Sequence, residues 1–480
     1  MRPPEQAFPA RIARDKGAID VVLVTIDAER ADFLTPYGEK LPTTPFLEKL
    51  AAEGVTFKNA FSPAPWTVPA MYSIITGLYP SEHGLTSGQT VGQHVVGQEA
   101  LPGEAFTLTE RLAGLGYSTF GINTNYHMAP QFGFNQGFDR YLGDDFAFMP
   151  FPNLAVAGLR DEILSSPKYF LWLHYFDPHF PYIAQPPWFG EWNDSRFRTL
   201  FDLSTDVSLR YYWHKRGLPP KSPIRQEDAV LVHKLINLLT ARSILLFHGL
   251  PKVKDLVDEN YIRFFTAAYK STLRQTDESM EVALKALGVD DQTLLIVTSD
   301  HGEELFDHGE LGHRKNSSLY QELIRVPLII YLPGGRAAGT VIDTPVSVID
   351  IYPTVLDLLD QPIPDNLSGR SLRPLFEGKD LKKRPIFAEV SGRMGEARAI
   401  IEYPWKYIHN YTTQRGELYH LEQDPGEKDN RTDLEKARVK EMFDRLEKWK
   451  QSMAPRWKIE QTAPLSLPEI NRLKQMGYLK

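Results

Sequence analysis

The chain has 480 residues, 42% hydrophobic and 24% charged, with 54 basic side chains against 61 acidic ones and a formal net charge of −7. That balance is ordinary for a soluble globular protein, and it is too acidic for the whole chain to act as a nucleic-acid or other polyanion binder, although a local basic pocket is compatible with it. The absence of cysteine excludes disulfides, thiolate metal sites and a thiol nucleophile.

The opening residues, MRPPEQAFPARIARDKGAID, hold no apolar run of signal-peptide length, and no later span approaches the roughly 20 apolar residues that cross a bilayer. No transmembrane segment is expected. The chain as given reads as soluble, with the compartment open between cytoplasmic and exported. The first element is a short apolar run, Val21 to Ile26, which suits a strand buried on both faces of a parallel sheet. It ends at Asp27, where the C-terminal edge of such a sheet faces a crevice. In WTVPAMYSIITGLYPSEHG, Thr67 precedes a helix expected to begin near Pro69, with Gly77 as its terminator.

Next, TLTERLAGLGYSTFGINTN reads as helix, glycine turn and strand, and KYFLWLHYFDPHFPY as a buried strand running into a polar loop. Residues 185–260 break the pattern. They contain a basic loop and a helical leucine face at Leu231, Leu235, Leu238 and Leu239, read as a helix packed on the core or as a lid. Helix, turn and strand recur in MEVALKALGVDDQTLLIVTSDHGEE, with a strand from Thr293 to Thr298 leading to Asp300 and His301. PVSVIDIYPTVLDLLDQ is a strand-to-helix step. Beyond residue 375 come short runs that look antiparallel, then a charged helix. The predicted architecture is therefore α/β, with a mostly parallel central sheet flanked by helices over residues 1–375 and a smaller C-terminal α+β unit carrying an antiparallel sheet over residues 376–480.

Asp27, Thr67, Asp300 and His301 all fall at predicted strand ends or a helix start. Singly each has an ordinary explanation as a cap, turn former or core histidine. Together they form the oxygen and nitrogen donor set that a divalent cation such as Zn²⁺ or Mn²⁺ accepts. A cation beside Thr67 lowers the pKa of its hydroxyl, and the positive end of the helix favours an anion. This is a site for attack on a tetrahedral oxyanion ester.

Several segments in order resemble the sulfatase family of the alkaline phosphatase superfamily: VVLVTIDAERADFLTPYG, FSPAPWTVPAMYSIITGLYPSEHG, GFNQGFDRY, HYFDPHFPY, VTSDHGEELFDHGELGH, YQELIRVPLIIYLPGG, VSVIDIYPTVLDLL, GRSLRPLF and ELYHLEQDPGEKDN. The resemblance implies the alkaline phosphatase-like sulfatase fold with a metal at the strand ends. It places Asp27, Asp300 and His301 among the metal ligands and Thr67 as nucleophile and ligand. It makes His179 a catalytic and substrate-contacting histidine, and His313, which falls near a substrate-binding lysine of relatives, a second candidate for both roles. Asn125 is a further candidate for substrate binding. Zn or Mn is the favoured ion, with Ca or Mg open. One ion per site is the default, and a second held by Asp177, His179 and His313 is an alternative. His308 and His174 read as structural, and Trp66, Trp188, Trp192 and Trp213 either line a leaving-group pocket or anchor loops.

The chain departs from the family where its sulfatases carry a modified cysteine or serine followed by proline and arginine. Here the stretch is Thr67-Val68-Pro69-Ala70-Met71, and Ala28 replaces a frequent second aspartate. Threonine, with its β-methyl, cannot become formylglycine, so its ester must be released by attack at the central atom. Phosphorus tolerates that second displacement. The expected activity is metal-dependent hydrolysis of phosphate esters, with phosphodiesters or phosphonate monoesters favoured, on a small-molecule or lipid-derived substrate. Sulfate-ester hydrolysis without formylglycine and phospho-head-group transfer are the alternatives. Homo-oligomerisation is left open.

Overall fold

The computed structural model describes residues 14–86, 88–91, 94–143, 151–180, 259–313, 318–391 and 395–459, together with Tyr182, Ala184, Trp188, Trp213, Lys215 and Pro219. The expected helix or lid at 231–239, and Trp192, lie outside these described residues.

Eight strands form the central sheet: β1 (Asp20–Ile26), β2 (Val55–Phe57), β3 (Ser118–Ile122), β4 (Arg140–Leu142), β5 (Tyr169–Tyr175), β6 (Thr293–Ser299), β7 (Leu328–Tyr331) and β8 (Thr340–Ile342). Their spatial order is β8-β2-β7-β6-β1-β5-β3-β4. Only β7 runs against its neighbours within this sheet, pairing antiparallel with β6 and β2, while the other pairs are parallel. Every residue of β1, β5 and β6 is buried, as central strands covered on both faces must be.

Alternate residues of β1 feed two cores. Val21 and Leu23 pack with Val68 of α2 (Thr67–Thr76), Leu108 of α3 (Leu108–Gly114) and Val355 of α6 (Ile351–Leu358). Val22, Val24 and Ile26 pack with Leu47 of α1 (Pro45–Glu53), Leu159 of α4 (Phe151–Ser165) and Leu273 of α5 (Glu259–Ala286). The period-2 alternation of a strand thus builds a three-layer body.

The C-terminal part is an antiparallel sheet of β9 (Ile386–Val390), β10 (Ala397–Glu402), β11 (Trp405–Asn410) and β12 (Arg415–His420), paired in chain order, followed by α7 (Lys436–Ser452). One face sets Ile386, Ala388 and Val390 against Phe61, Leu319 and Leu323 of the larger body. The other sets Phe387, Ile400 and Tyr407 against Tyr79, Ile349 and Met442 and Leu446 of α7.

Helix α2 begins two residues earlier than the sequence suggested. Trp66, at φ −160° and ψ 161°, is its extended N-cap, so Thr67 is the first helical residue. Gly77 closes the helix in the left-handed conformation, with φ 69°, as expected of a C-terminal glycine.

Candidate active site

The register of three strands assembles the site. Ile26 lies opposite Tyr175 on one side and Ser299 on the other, so β1, β5 and β6 end in one row. The residues that follow, Asp27 and Asp300, leave the sheet side by side at its C-terminal edge. Asp27, Asp300 and His301 are fully buried, and each offers a donor atom within 4.8 Å of the other two. His301 Nε2 lies 3.4 Å from Asp27 Oδ1, 3.5 Å from Asp300 Oδ2 and 3.2 Å from Thr67 Oγ1. Three of the residues singled out in the sequence therefore converge on one nitrogen of the fourth.

Local hydrogen bonds aim each donor. His301 Nδ1 is 2.7 Å from the carbonyl of Gly302. A carbonyl only accepts, so Nδ1 carries the proton and the Nε2 lone pair faces the carboxylates. Asp300 Oδ1 takes the amides of His301 at 2.9 Å and Ala28 at 3.3 Å, whereas its Oδ2 is buried with no hydrogen bond. Asp27 Oδ2 takes Asn125 Nδ2–H at 2.6 Å. Ala28 follows in the left-handed region at φ 59°, and its carbonyl accepts the Tyr269 hydroxyl at 2.7 Å. That turn swings the chain away just after the Asp27 carboxylate.

Burial pushes the Asp300 carboxyl up to about 6, and Asp27 adds to the rise while His301 opposes it. Burial pulls His301 down, but the two carboxylates outweigh it and the net shift is upward. Two buried carboxylates facing one imidazole place excess negative charge where little water screens it. A divalent cation relieves that charge. The buried Asp300 Oδ2, the inward lone pair of His301 and the mixed oxygen and nitrogen donors all fit one.

The other candidates lie beside the same cluster. His179 is buried, with Nδ1 2.6 Å from the Phe180 carbonyl, and its ring stacks on Phe176 at 4.5 Å. His313 meets His179 edge-on at 4.9 Å and lies 4.3 Å from the His301 ring. Its Nδ1 is 2.9 Å from Glu303 Oε1. Asn125 is drawn in differently from expectation. One N–H holds Asp27 and its Oδ1 accepts the His127 amide at 2.9 Å, so the buried side chain ties the Asp27 carboxylate to its own loop.

Of the histidines read as structural, His308 pairs with Glu322 at 2.5 Å and stacks on Tyr320, but His174 points at Asp27, 3.7 Å from Oδ2. Trp188 is held by Glu278 at 3.0 Å, an anchor to α5. Sequence reading missed Glu303 and Arg30. The buried Arg30 guanidinium donates to the Glu303 carbonyl at 3.1 Å and to Asp307 at 2.5 Å, pinning the loop that carries His301 and His313. The signal for Arg30 was a charged residue four positions past an apolar strand.

Comparison with known proteins follows the same lines. The sulfatase family profile matches residues 19–361, and a profile described as N-sulphoglucosamine sulphohydrolase, C-terminal, matches residues 309–452. The chain is 27% identical over 424 residues to the multifunctional alkaline phosphatase superfamily protein PehA of Trinickia caryophylli, covering 75% of this chain and 77% of that one. It is 26% identical over 466 residues to an arylsulfatase of Clostridium perfringens, covering 89% and 93%. A solved phosphonate monoester hydrolase from Silicibacter pomeroyi superposes with a TM-score of 0.64 at 19% identity, over 91% of this chain and 96% of that one, which shows a shared fold.

Proposed function

Because the chain belongs to the sulfatase family of hydrolases, within the alkaline phosphatase superfamily, we propose that it hydrolyses phosphate esters, phosphodiesters or phosphonate monoesters first, through Thr67. One observation carries this reading: an unmodified threonine occupies the first turn of α2, with its hydroxyl against His301 Nε2 and Met71 where sulfatases of the family place an arginine. The proteins the chain is similar to include an arylsulfatase and a phosphonate monoester hydrolase, and the side chain at the nucleophile position favours the second class.

Asp27, Asp300 and His301 would hold a divalent cation, which would supply positive charge to the ester and lower the pKa of the Thr67 hydroxyl. Thr67 Oγ attacks phosphorus in line with the leaving oxygen, forming a phosphothreonine as the ester bond breaks. His179 gives the departing oxygen its proton. His313, paired with Glu303, holds a phosphoryl oxygen. The free amides at the start of α2 face the same anion. Water then attacks the phosphothreonine and passes its proton to His179, which restores the acid spent in the first step, while Thr67 Oγ leaves and takes back from solvent the proton it released on attack.

Turnover of nitrophenyl phosphodiester, phosphonate, phosphate and sulfate esters tests the reading, with Mn²⁺ or Zn²⁺ added. The parent is expected to favour the first two. Thr67→Ala is expected to lose roughly a thousandfold or more in kcat, while Thr67→Ser keeps measurable turnover. Mass spectrometry of quenched reactions is expected to find a phosphoryl group on the peptide containing Thr67. Full activity in Thr67→Ala would remove the nucleophile, and faster turnover of the sulfate ester would overturn the substrate class.

A further inference from the structure

His174 sits in β5 directly opposite Thr25 of β1, fully buried. Its Nδ1 is 2.8 Å from Thr25 Oγ1. The same hydroxyl lies 2.9 Å from Trp172 Nε1. An indole N–H only donates, so the threonine oxygen accepts from Trp172. The hydroxyl has one proton of its own. Among the described residues its hydrogen-bond partner for that proton is His174 Nδ1. Nδ1 therefore accepts, and the ring carries its hydrogen on Nε2. That Nε2 has no hydrogen bond and faces Asp27 Oδ2 at 3.7 Å.

The two oxygens of Asp27 are thereby given different work. Oδ2 is taken by Asn125 at 2.6 Å and faced by His174. Oδ1 is turned to His301 at 3.4 Å, toward the centre of the donor cluster. We propose that His174 is a positioning residue whose Nε2–H, its tautomer set by the Trp172–Thr25 relay, holds Asp27 Oδ2 so that Oδ1 is left to bind the cation. The proposal rests on the reading of Asp27, Asp300 and His301 as the cation site. At 3.7 Å the contact is longer than a hydrogen bond, and a shift of about 0.7 Å brings it within range. Holding the second oxygen fixes the carboxylate plane before the ion arrives, which is how groups behind a metal ligand raise affinity.

The test measures Mn²⁺ affinity of the full chain by chelator competition, with thermal melting followed in parallel. His174→Leu is expected to weaken Mn²⁺ binding by about 10- to 100-fold. His174→Gln is expected to recover most of that loss, because its amide N–H reaches close to the position of Nε2–H. Thr25→Val frees the ring to adopt either tautomer and is expected to weaken binding several-fold, while Thr25→Ser stays near the parent. A packing role would lower the melting temperature without separating Gln from Leu at position 174. A folded His174→Leu protein that binds Mn²⁺ within twofold of the parent would overturn the proposal, as would a Gln variant as weak as Leu. A parent that binds no divalent cation would overturn the cation-site reading itself, and that result is visible before any variant is made.

Discussion

At the residue scale, the cluster depends on how little room surrounds the loop after β6. A Cβ on Gly302 would stand 1.9 Å from the Glu322 carbonyl oxygen, a backbone atom that cannot rotate aside. The Gly302 amide is bonded to Leu323, and its carbonyl orients His301. Gly302→Ala is therefore expected to cost on the order of 3 kcal/mol and to lose bound metal, read by denaturant unfolding and by metal content after gel filtration. The donors themselves were legible in the sequence because Asp27, Asp300 and His301 each stand just past an apolar run. Glu303 and His174 were not. The role of Glu303 depends on a loop folding back to bring His313 beside it, and that of His174 on which strand lies next to β1. The one mark His174 left was a titratable side chain inside the otherwise apolar and aromatic run YFLWLHY.

At the scale of the element, α2 is held from behind by a second buried histidine. His83 Nδ1 accepts the Leu85 amide at 3.1 Å, while Nε2 lies 3.0 Å from Ser73 Oγ and 3.2 Å from the Pro69 carbonyl. The neutral ring satisfies all of these contacts, and protonation at Nδ1 would break the first. Burial lowers its pKa from 6.5 to about 3, with the Pro69 carbonyl opposing the fall. The native ring thus binds a proton less readily than the unfolded one. This contribution is intact above pH 6.5 and is lost as the pH falls toward 3, by about 2 kcal/mol at pH 5. The difference in urea unfolding free energy between the parent and His83→Gln, which does not titrate there, is expected to show that slope from pH 7 to 5. The boundary of the same helix was misplaced in the sequence because Pro69 is the usual signal for a first turn. Here the extended backbone of Trp66 starts the helix earlier and moves Thr67 into that turn.

For the whole molecule, the C-terminal sheet does not own a separate core. Phe61, Tyr79, Leu323 and Ile349 complete the faces of β9–β12, and the buried Glu389 takes the Ser81 amide at 2.7 Å. The expected boundary at residue 375 divides the chain in sequence, but a fragment of residues 1–375 would expose those apolar side chains to water. Such a fragment is expected to be insoluble or to melt without a cooperative transition by calorimetry. Because the donor cluster carries excess buried negative charge, saturating Mn²⁺ or Zn²⁺ is expected to raise the melting temperature of the full chain and a chelator to reverse it. Asp300→Asn is expected to melt at the same temperature with and without metal. The alternation of apolar strands and helices made the α/β class readable. The order of strands was not, since β7 reverses direction through contacts distant in sequence. Among the described residues no helix is long and apolar enough to cross a membrane. The common end row of β1, β5 and β6 also separates two kinds of inheritance. Side chains just beyond that row take no part in the backbone pairing of the sheet, so the reagents can be exchanged while the frame that carries them is left intact. A single deletion inside one of those strands would instead shift everything after it by one residue and send a correct set of reagents to the wrong side of the wall.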